Sequence, residues 1–310
     1  MEEKPLVKKI GYYPGCTAKS YAKYMDSSAK SVMNEFGIEL VELSRWNCCG
    51  TFFGLAEDNL YSQLAPIRNM IRTHENGFSQ LVTICSMCYN TLKRANNLFK
   101  TNEEKASRLN AFMYEEQKSY QGNVEVLHLL EVIRDQIGID KVAKKVVNPL
   151  KGLKVAPYYG CTLLRPKEAT IDKNTEKPTI LSDLIYALGA EAVEDPYMSE
   201  CCGSYLTVKD KHLVADRTNK IIGSMARRNV DIIVVSCPLC QFNMDRRQKE
   251  AKELNYALSS IHILYFTQLM ALALGINYEK LGFSEHYVNP IPVLKKRDLL
   301  GTTAKVPIKT

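Results

Sequence analysis

The chain has 310 residues, 45% apolar and 24% charged, the profile of an ordinary soluble globular protein with room for two domains that each bury a core. Its formal net charge is +7, but Lys and Arg are scattered instead of gathered into blocks, so a solvated surface is favoured over nucleic-acid binding. "MEEKPLVKKIGYY" lacks the long apolar core of an export signal, and "IHILYFTQLMALALGI" is shorter than a bilayer span. These features predict a cytoplasmic chain that reaches any membrane only through a partner.

In chain order, a strand-like run "KKIGYYPG" leads to Cys16. A helix over "AKSVMNEFGIEL" should end at Gly37, which suits the left-handed position after a helix. The strand "IELVEL" then precedes a loop carrying Cys48-Cys49-Gly50, and an amphipathic helix is expected over roughly residues 57–74. A buried-type strand, "QLVTI", delivers Cys85-x-x-Cys88 immediately before another helix. A polar, helix-prone insertion follows, and "VLHLLEVIRDQIGI" closes the first half.

The order then repeats. "GLKVAPYYG" leads to Cys161, and a helix over "LSDLIYALGAEA" should end at Gly189. "AEAVED" precedes Cys201-Cys202-Gly203, and a helix is expected over 209–228 with Leu213, Ile221, Ile222 and Met225 on its apolar stripe. "DIIVV" delivers Cys237-x-x-Cys240, and "SIHILYFTQLMALALGI" echoes the end of the first half with about one extra helical turn. All ten cysteines fall inside the repeat, five per half. Strands alternating with helices predict an α/β fold with a parallel sheet in each half. The cysteine groups follow strands, so they should gather at the carboxyl edge of each sheet. The seam is expected near residues 144–152, giving domains 1–148 and 149–310. The tail after Gly275 either packs back or docks a partner.

Ten cysteines without an export signal point to metal or redox chemistry instead of structural disulfides. A thioredoxin-type site needs a single C-x-x-C and leaves Cys16, Cys48 and Cys49 idle. A structural zinc site takes four ligands, one fewer than each half offers. Adjacent cysteines in a turn eased by Gly50 or Gly203 can splay toward two metal atoms, which suits a multinuclear cluster. The ferredoxin run C-x₂-C-x₂-C-x₃-C-P is absent, and no G-x-G-x-x-G follows a strand, so neither standard wiring clusters nor flavin or nicotinamide binding is indicated.

In both halves a first cysteine precedes Cys-Cys-Gly by 31 or 39 intervening residues, and C-x-x-C follows the pair after 35 or 34. Over essentially its full length the chain resembles the B subunit of heterodisulfide reductase, a tandem of CCG domains. The resemblance implies two Rossmann-like units related by a pseudo-two-fold axis, each with a non-cubane [4Fe–4S] cluster. Carried over by motif position, Cys16, Cys48, Cys49, Cys85 and Cys88 would hold the first cluster. Cys161, Cys201, Cys202, Cys237 and Cys240 would hold the second. The implied reaction is reduction of the coenzyme M–coenzyme B disulfide to two thiols. The implied partners are a C-type subunit with cubane clusters and a flavin-bearing A-type subunit. Glycine after each vicinal pair, where some methanogen relatives have proline, leaves the identity of the disulfide open. A zinc-stabilised interaction protein and a non-catalytic electron-transfer subunit remain as alternatives.

Beyond the cysteines, Lys19 and Arg165 are candidate anchors for an anionic substrate, with ordinary surface cations as the simpler reading. His128 and His262 are expected at matching places, which suggests hydrogen-bonded core histidines. His212 is a candidate on the second amphipathic helix. The pairs Tyr12-Tyr13 and Tyr158-Tyr159 either shield the clusters or pack in the strand core.

Overall fold

The computed structural model describes residues 8–51, 59–116, 118–255 and 257–300. Two four-stranded parallel sheets carry the two halves. Strands β1 (Lys8–Tyr13), β2 (Ile38–Glu42), β3 (Gln80–Thr83) and β4 (Glu125–His128) form the first, in spatial order β2-β1-β3-β4. Strands β5 (Lys154–Tyr158), β6 (Glu191–Ala192), β7 (Ile232–Val235) and β8 (His262–Tyr265) form the second, in the equivalent order β6-β5-β7-β8. Helices cover the faces, which is why β7, "IIVV", is buried at every residue. The expected α/β architecture is therefore present twice.

Local chemistry sets the boundaries. Gly37 (φ 70°) and Gly189 (φ 83°) take the left-handed conformation after the helices Lys23–Glu35 and Ile180–Ala187. The strand expected over "AEAVED" shrinks to two residues, because pairing of β5 with β6 stops at Val155, two positions before Pro157, which has no N–H to offer. The two amphipathic helices run over Tyr61–Glu75 and Lys211–Arg227; residues 57–58 of the expected first helix lie outside the described residues. Leu213 does not join the apolar stripe. It is 44% exposed in the first turn, and Val214, Ala215, Ile221, Ile222 and Met225 turn inward instead.

The ends of the two halves match differently from the sequence reading. Thr83 pairs with His128 and Val235 with Tyr265, whereas His262 pairs with Ile232 at the start of β8. The counterpart of His128 is thus Tyr265, three residues beyond His262. Each precedes its helix and is held by the side chain three positions on, His128 N–H by Glu131 at 2.8 Å and Tyr265 N–H by Gln268 at 2.9 Å. The glycine after each helix, Gly138 or Gly275, lies equally far from His128 and from Tyr265, so the second copy carries no extra helical turn.

The halves lock face to face. Ser28 and Thr267 share a buried hydroxyl contact at 2.8 Å, and Asn90 Nδ2 donates to the carbonyls of Thr162 (2.9 Å) and Arg165 (2.7 Å). Residues 276–300 pack back on the body. Gln268 donates to Leu281 O, the backbone N–H groups of Tyr287 and Val288 donate to Asp245, and His286 is buried between Gln241 and Gln268. In the first half residues 162–171 provide the cover, with Tyr89 donating to Thr170 O at 3.4 Å and Arg134 to Ile171 O at 2.9 Å. There Tyr89 and Lys93 reach Glu131 directly, at 3.1 and 3.3 Å.

Candidate metal centre

Every cysteine group follows the carboxyl end of a strand, as parallel α/β topology favours for a ligand site. Cys16 and Cys161 follow β1 and β5, the vicinal pairs follow β2 and β6, and the C-x-x-C motifs follow β3 and β7. Cys85 and Cys237 are the N-cap residues of helices Ser86–Thr101 and Pro238–Arg246, which puts Cys88 and Cys240 in their first turns. A helix N-terminus presents free N–H groups and partial positive charge, an environment that favours thiolates.

The sulfurs meet in pairs. Cys48 Sγ lies 3.9 Å from Cys16 Sγ, and Cys49 Sγ lies 3.6 Å from Cys88 Sγ. Cys161 contacts Cys201, Cys240 contacts both Cys202 and Cys237, and Cys85 contacts Cys237 across the seam. All ten are free thiols; Cys16 and Cys48 are exposed, Cys161 and Cys201 half-buried, the rest buried. Among the described residues no three His, Cys, Asp or Glu side chains are arranged to hold one metal ion. The structure thus unites each set of five and places the sets edge to edge.

Crowding drives several neighbouring thiols apart in acidity. Hydrogen bonds from Cys48 and Cys88 push Cys49 well below the usual thiol range, and those from Cys240 and Cys85 do the same for Cys237. Cys201 falls to about 6, chiefly through Cys161, with the Gly203 N–H donating to its sulfur at 3.3 Å. The donors Cys16, Cys85, Cys88, Cys161 and Cys240 are pushed up in turn. Neighbouring sulfurs cannot all ionise unless positive charge enters between them. Five thiolates around several metal ions meet that condition.

Glycine makes the room. Gly50 (φ 80°) and Gly203 (φ 77°) turn the chain after each vicinal pair. Gly15 (φ 79°) and Gly160 (φ 64°) precede the first cysteines, and a Cβ there would lie 3.0 Å from Cys88 Sγ and 3.4 Å from Cys240 Sγ. The donor set and its side-chain-free approach fit a bulky sulfur-ligated group.

Lys19 is tied to Glu42 at 2.6 Å and to Asp26 at 3.9 Å, whereas Arg165 is exposed four residues after Cys161. His212 is exposed on its helix. His128 is fully buried; Nε2 donates to Ile84 O at 3.1 Å, Nδ1 accepts from Leu130 N–H, and burial lowers its pKa to about 3. One tyrosine of each pair touches the centre. The Tyr13 and Tyr158 hydroxyls donate to the carbonyls just before each vicinal pair, Asn47 O at 3.0 Å and Glu200 O at 2.6 Å. Sequence reasoning missed Asn69, Asn243 and Arg217, which grip the same loops. Only their place on neighbouring helices hinted at it.

The model of the cysteine-rich domain called CCG matches residues 10–93 and 155–245. The chain belongs to the CCG family. Its tandem CCG domains span both matched cysteine sets. Over 284 residues this CCG protein is 30% identical to the 8-methylmenaquinol:fumarate reductase membrane anchor subunit of Wolinella succinogenes, covering 92% of this chain and 98% of that one. It is 28% identical to the B subunit of the ferredoxin/F420H2-dependent CoB-CoM heterodisulfide reductase of Methanosarcina acetivorans, covering 93% and 96%. Among solved structures it resembles a hypothetical protein from Helicobacter pylori, with TM-score 0.73 at 14% identity over 92% of this chain. It spans 52% of that protein, a likeness of fold alone.

Proposed function

We propose that this CCG protein is the disulfide-reducing subunit of a multi-subunit oxidoreductase, with a non-cubane [4Fe–4S] cluster held by each cysteine set. One observation carries the reading: two complete sets of five thiols meet at one seam, through the contact of Cys85 with Cys237. Cleaving a disulfide takes two electrons and two protons and yields two thiols. Two clusters, when bound, would supply one electron each.

The chain's own residues prepare that chemistry. Cys16, Cys48, Cys49, Cys85 and Cys88 hold the first cluster, and Cys161, Cys201, Cys202, Cys237 and Cys240 the second, within domains 1–148 and 149–310. Gly15 and Gly160 leave room beside the sulfurs. Arg165 remains a candidate for an anionic end of the substrate, whereas the Lys19 charge is already met by Glu42. The substrate is the coenzyme M–coenzyme B disulfide or a related one. Electrons come from partner subunits of the C and A type in the cytoplasm. Support comes from relatives named as the B subunit of heterodisulfide reductase, which align over nearly the whole chain.

The Wolinella relative favours a second reading, a non-catalytic iron–sulfur relay in a fumarate-reducing complex. Anaerobic purification with iron and acid-labile sulfide assays, followed by titration of the oxidised protein with coenzyme M, separates them. Several iron atoms per half and a changed paramagnetic signal on adding thiol are expected. An unchanged signal with any thiol overturns catalysis in favour of the relay. About one zinc per half without sulfide overturns both.

A further inference from the structure

Each vicinal cysteine pair hangs on a loop that must be held against the strand carrying the first cysteine. Tyr13 and Tyr158 are the last residues of β1 and β5, three positions before Cys16 and Cys161, and are fully buried. Their hydroxyls donate to the carbonyls of Asn47 and Glu200, the residues just before the pairs. Their ring edges also lie 3.7 and 3.4 Å from where a Cβ would stand on Gly15 and Gly160. One side chain thus touches both the turn that brings the first cysteine and the loop that brings the pair. Tyr12 and Tyr159 are as buried but point elsewhere, to Asp26 and to Pro178 O.

The two loops differ in what else holds them. Asn69 grips Asn47 from both sides, donating to its carbonyl at 2.9 Å and accepting from its N–H at 3.0 Å. The second loop has grips of its own, Asn243 donating to Cys202 O at 3.2 Å and Arg217 reaching Cys201 O at 3.4 Å and the Glu200 carboxylate at 2.8 Å, but among the described residues only the phenol is bonded to Glu200 O. Burial, reinforced by the surrounding thiols, pushes both phenols well above their usual pKa, so they stay protonated donors.

We propose that Tyr13 and Tyr158 are positioning residues that hold each Cys-Cys-Gly loop over its cysteine set, with the second loop depending on its phenol more than the first. The iron readout of this inference rests on the cluster reading; the thiol readout does not. The test compares full-length wild type with Tyr158→Phe, Tyr13→Phe, and the controls Tyr12→Phe and Tyr159→Phe. Iron and sulfide are assayed after anaerobic purification. Alkylation of each cysteine by iodoacetamide is followed by mass spectrometry after chelation.

Tyr158→Phe should lose about half of the iron and alkylate Cys201 about fivefold faster, the effect of losing one ordinary hydrogen bond. Tyr13→Phe should change Cys48 and Cys49 by less than about twofold, because Asn69 still holds that loop. The controls should match wild type. Equal alkylation in Tyr158→Phe and wild type overturns the proposal whether or not the chain holds iron. So does an equal effect in Tyr159→Phe, which marks general loosening. A wild type without iron or sulfide, but with the alkylation pattern intact, overturns the cluster reading and leaves the clamp standing.

Discussion

Ser86 and Ser236 share a hydroxyl contact of 2.6 Å across the seam between the halves, 150 residues apart in sequence, and Ser86 N–H also donates to Ser236 O at 3.2 Å. Ser86 directly follows Cys85 and Ser236 directly precedes Cys237, so this contact sets the approach of the two C-x-x-C motifs. Replacing one serine by alanine strands the other hydroxyl in a dry interior, while replacing both removes the pair. Ser86→Ala or Ser236→Ala alone should destabilise the chain by about 1–3 kcal/mol, and the double variant by no more than either single one. Urea denaturation measures all three, and strictly additive losses would show that the hydroxyls act independently.

Removal of a single thiol should reveal whether the sets are separate containers. Cys202 contacts Cys240 within the second set, and Cys49 contacts Cys88 within the first. Cys202→Ser should halve the iron and sulfide of the anaerobically purified chain, as should Cys49→Ser, and the pair together should abolish both. Complete loss from either single change would mean that the two centres assemble as one unit.

Much of this centre was legible from the residues, because a repeat of five cysteines leaves few ways to unite them once the strands are ordered. The left-handed glycines Gly37, Gly50, Gly189 and Gly203 were legible for the same reason, since each stands where the chain must turn sharply. The alignment of His128 with His262 failed because hydrophobic periodicity does not say where a strand stops and its helix starts. Only the register beside β3 and β7 does. Leu213 failed because a helix's first turn can leave the body before its apolar stripe begins. The roles of Tyr13 and Asn69 were hidden, because their partners are backbone carbonyls and N–H groups that no side-chain pattern records.

Two buried histidines should make the fold acid-sensitive. Burial lowers His128 to about 3 and His286 to about 4, against roughly 6.5 for an unfolded chain. Between those values the unfolded chain binds protons that the native chain refuses, so stability is complete above about pH 6.5 and falls as the pH drops toward 4. For His286 the full window is worth on the order of 3 kcal/mol. His286→Gln should therefore show a shallower fall in unfolding free energy between about pH 6.5 and 4.5 than wild type. An identical pH slope would remove His286 from the account.

Gly15 and Gly37 share a positive φ but not a neighbourhood, and Gly15, at φ 79° and ψ 160°, lies in a region open almost only to glycine. A Cβ on Gly37 (φ 70°) meets nothing within 4 Å, whereas one on Gly15 (φ 79°) meets Cys88 Sγ at 3.0 Å. Gly37→Ala should incur only the backbone strain, about 1–2 kcal/mol of lost stability, and keep its metal content. Gly15→Ala should suffer greater strain, because its backbone region is nearly closed to a residue with a Cβ, and, by pushing Cys88 aside, also lose iron from the first half. Denaturation paired with iron assay reads the two effects separately, and full iron in Gly15→Ala would show that Cys88 yields without consequence.

The relative named a membrane anchor invites a direct test on lipid. Among the described residues no helix is long and apolar enough to cross a membrane, and the helix Phe266–Ala273, from the most apolar stretch of the sequence, is buried along its whole length. Exposed large side chains include Tyr21, Tyr114 and Val208, and Tyr61 with Phe112, whose rings stand 5.0 Å apart. Without a spanning helix among the described residues, the purified chain should stay in the supernatant when sedimented with vesicles of neutral lipid, and salt should reverse any pull-down by anionic vesicles. Salt-resistant binding to neutral vesicles would instead give this chain an anchoring role of its own and favour the fumarate-type assembly over the disulfide-reducing one.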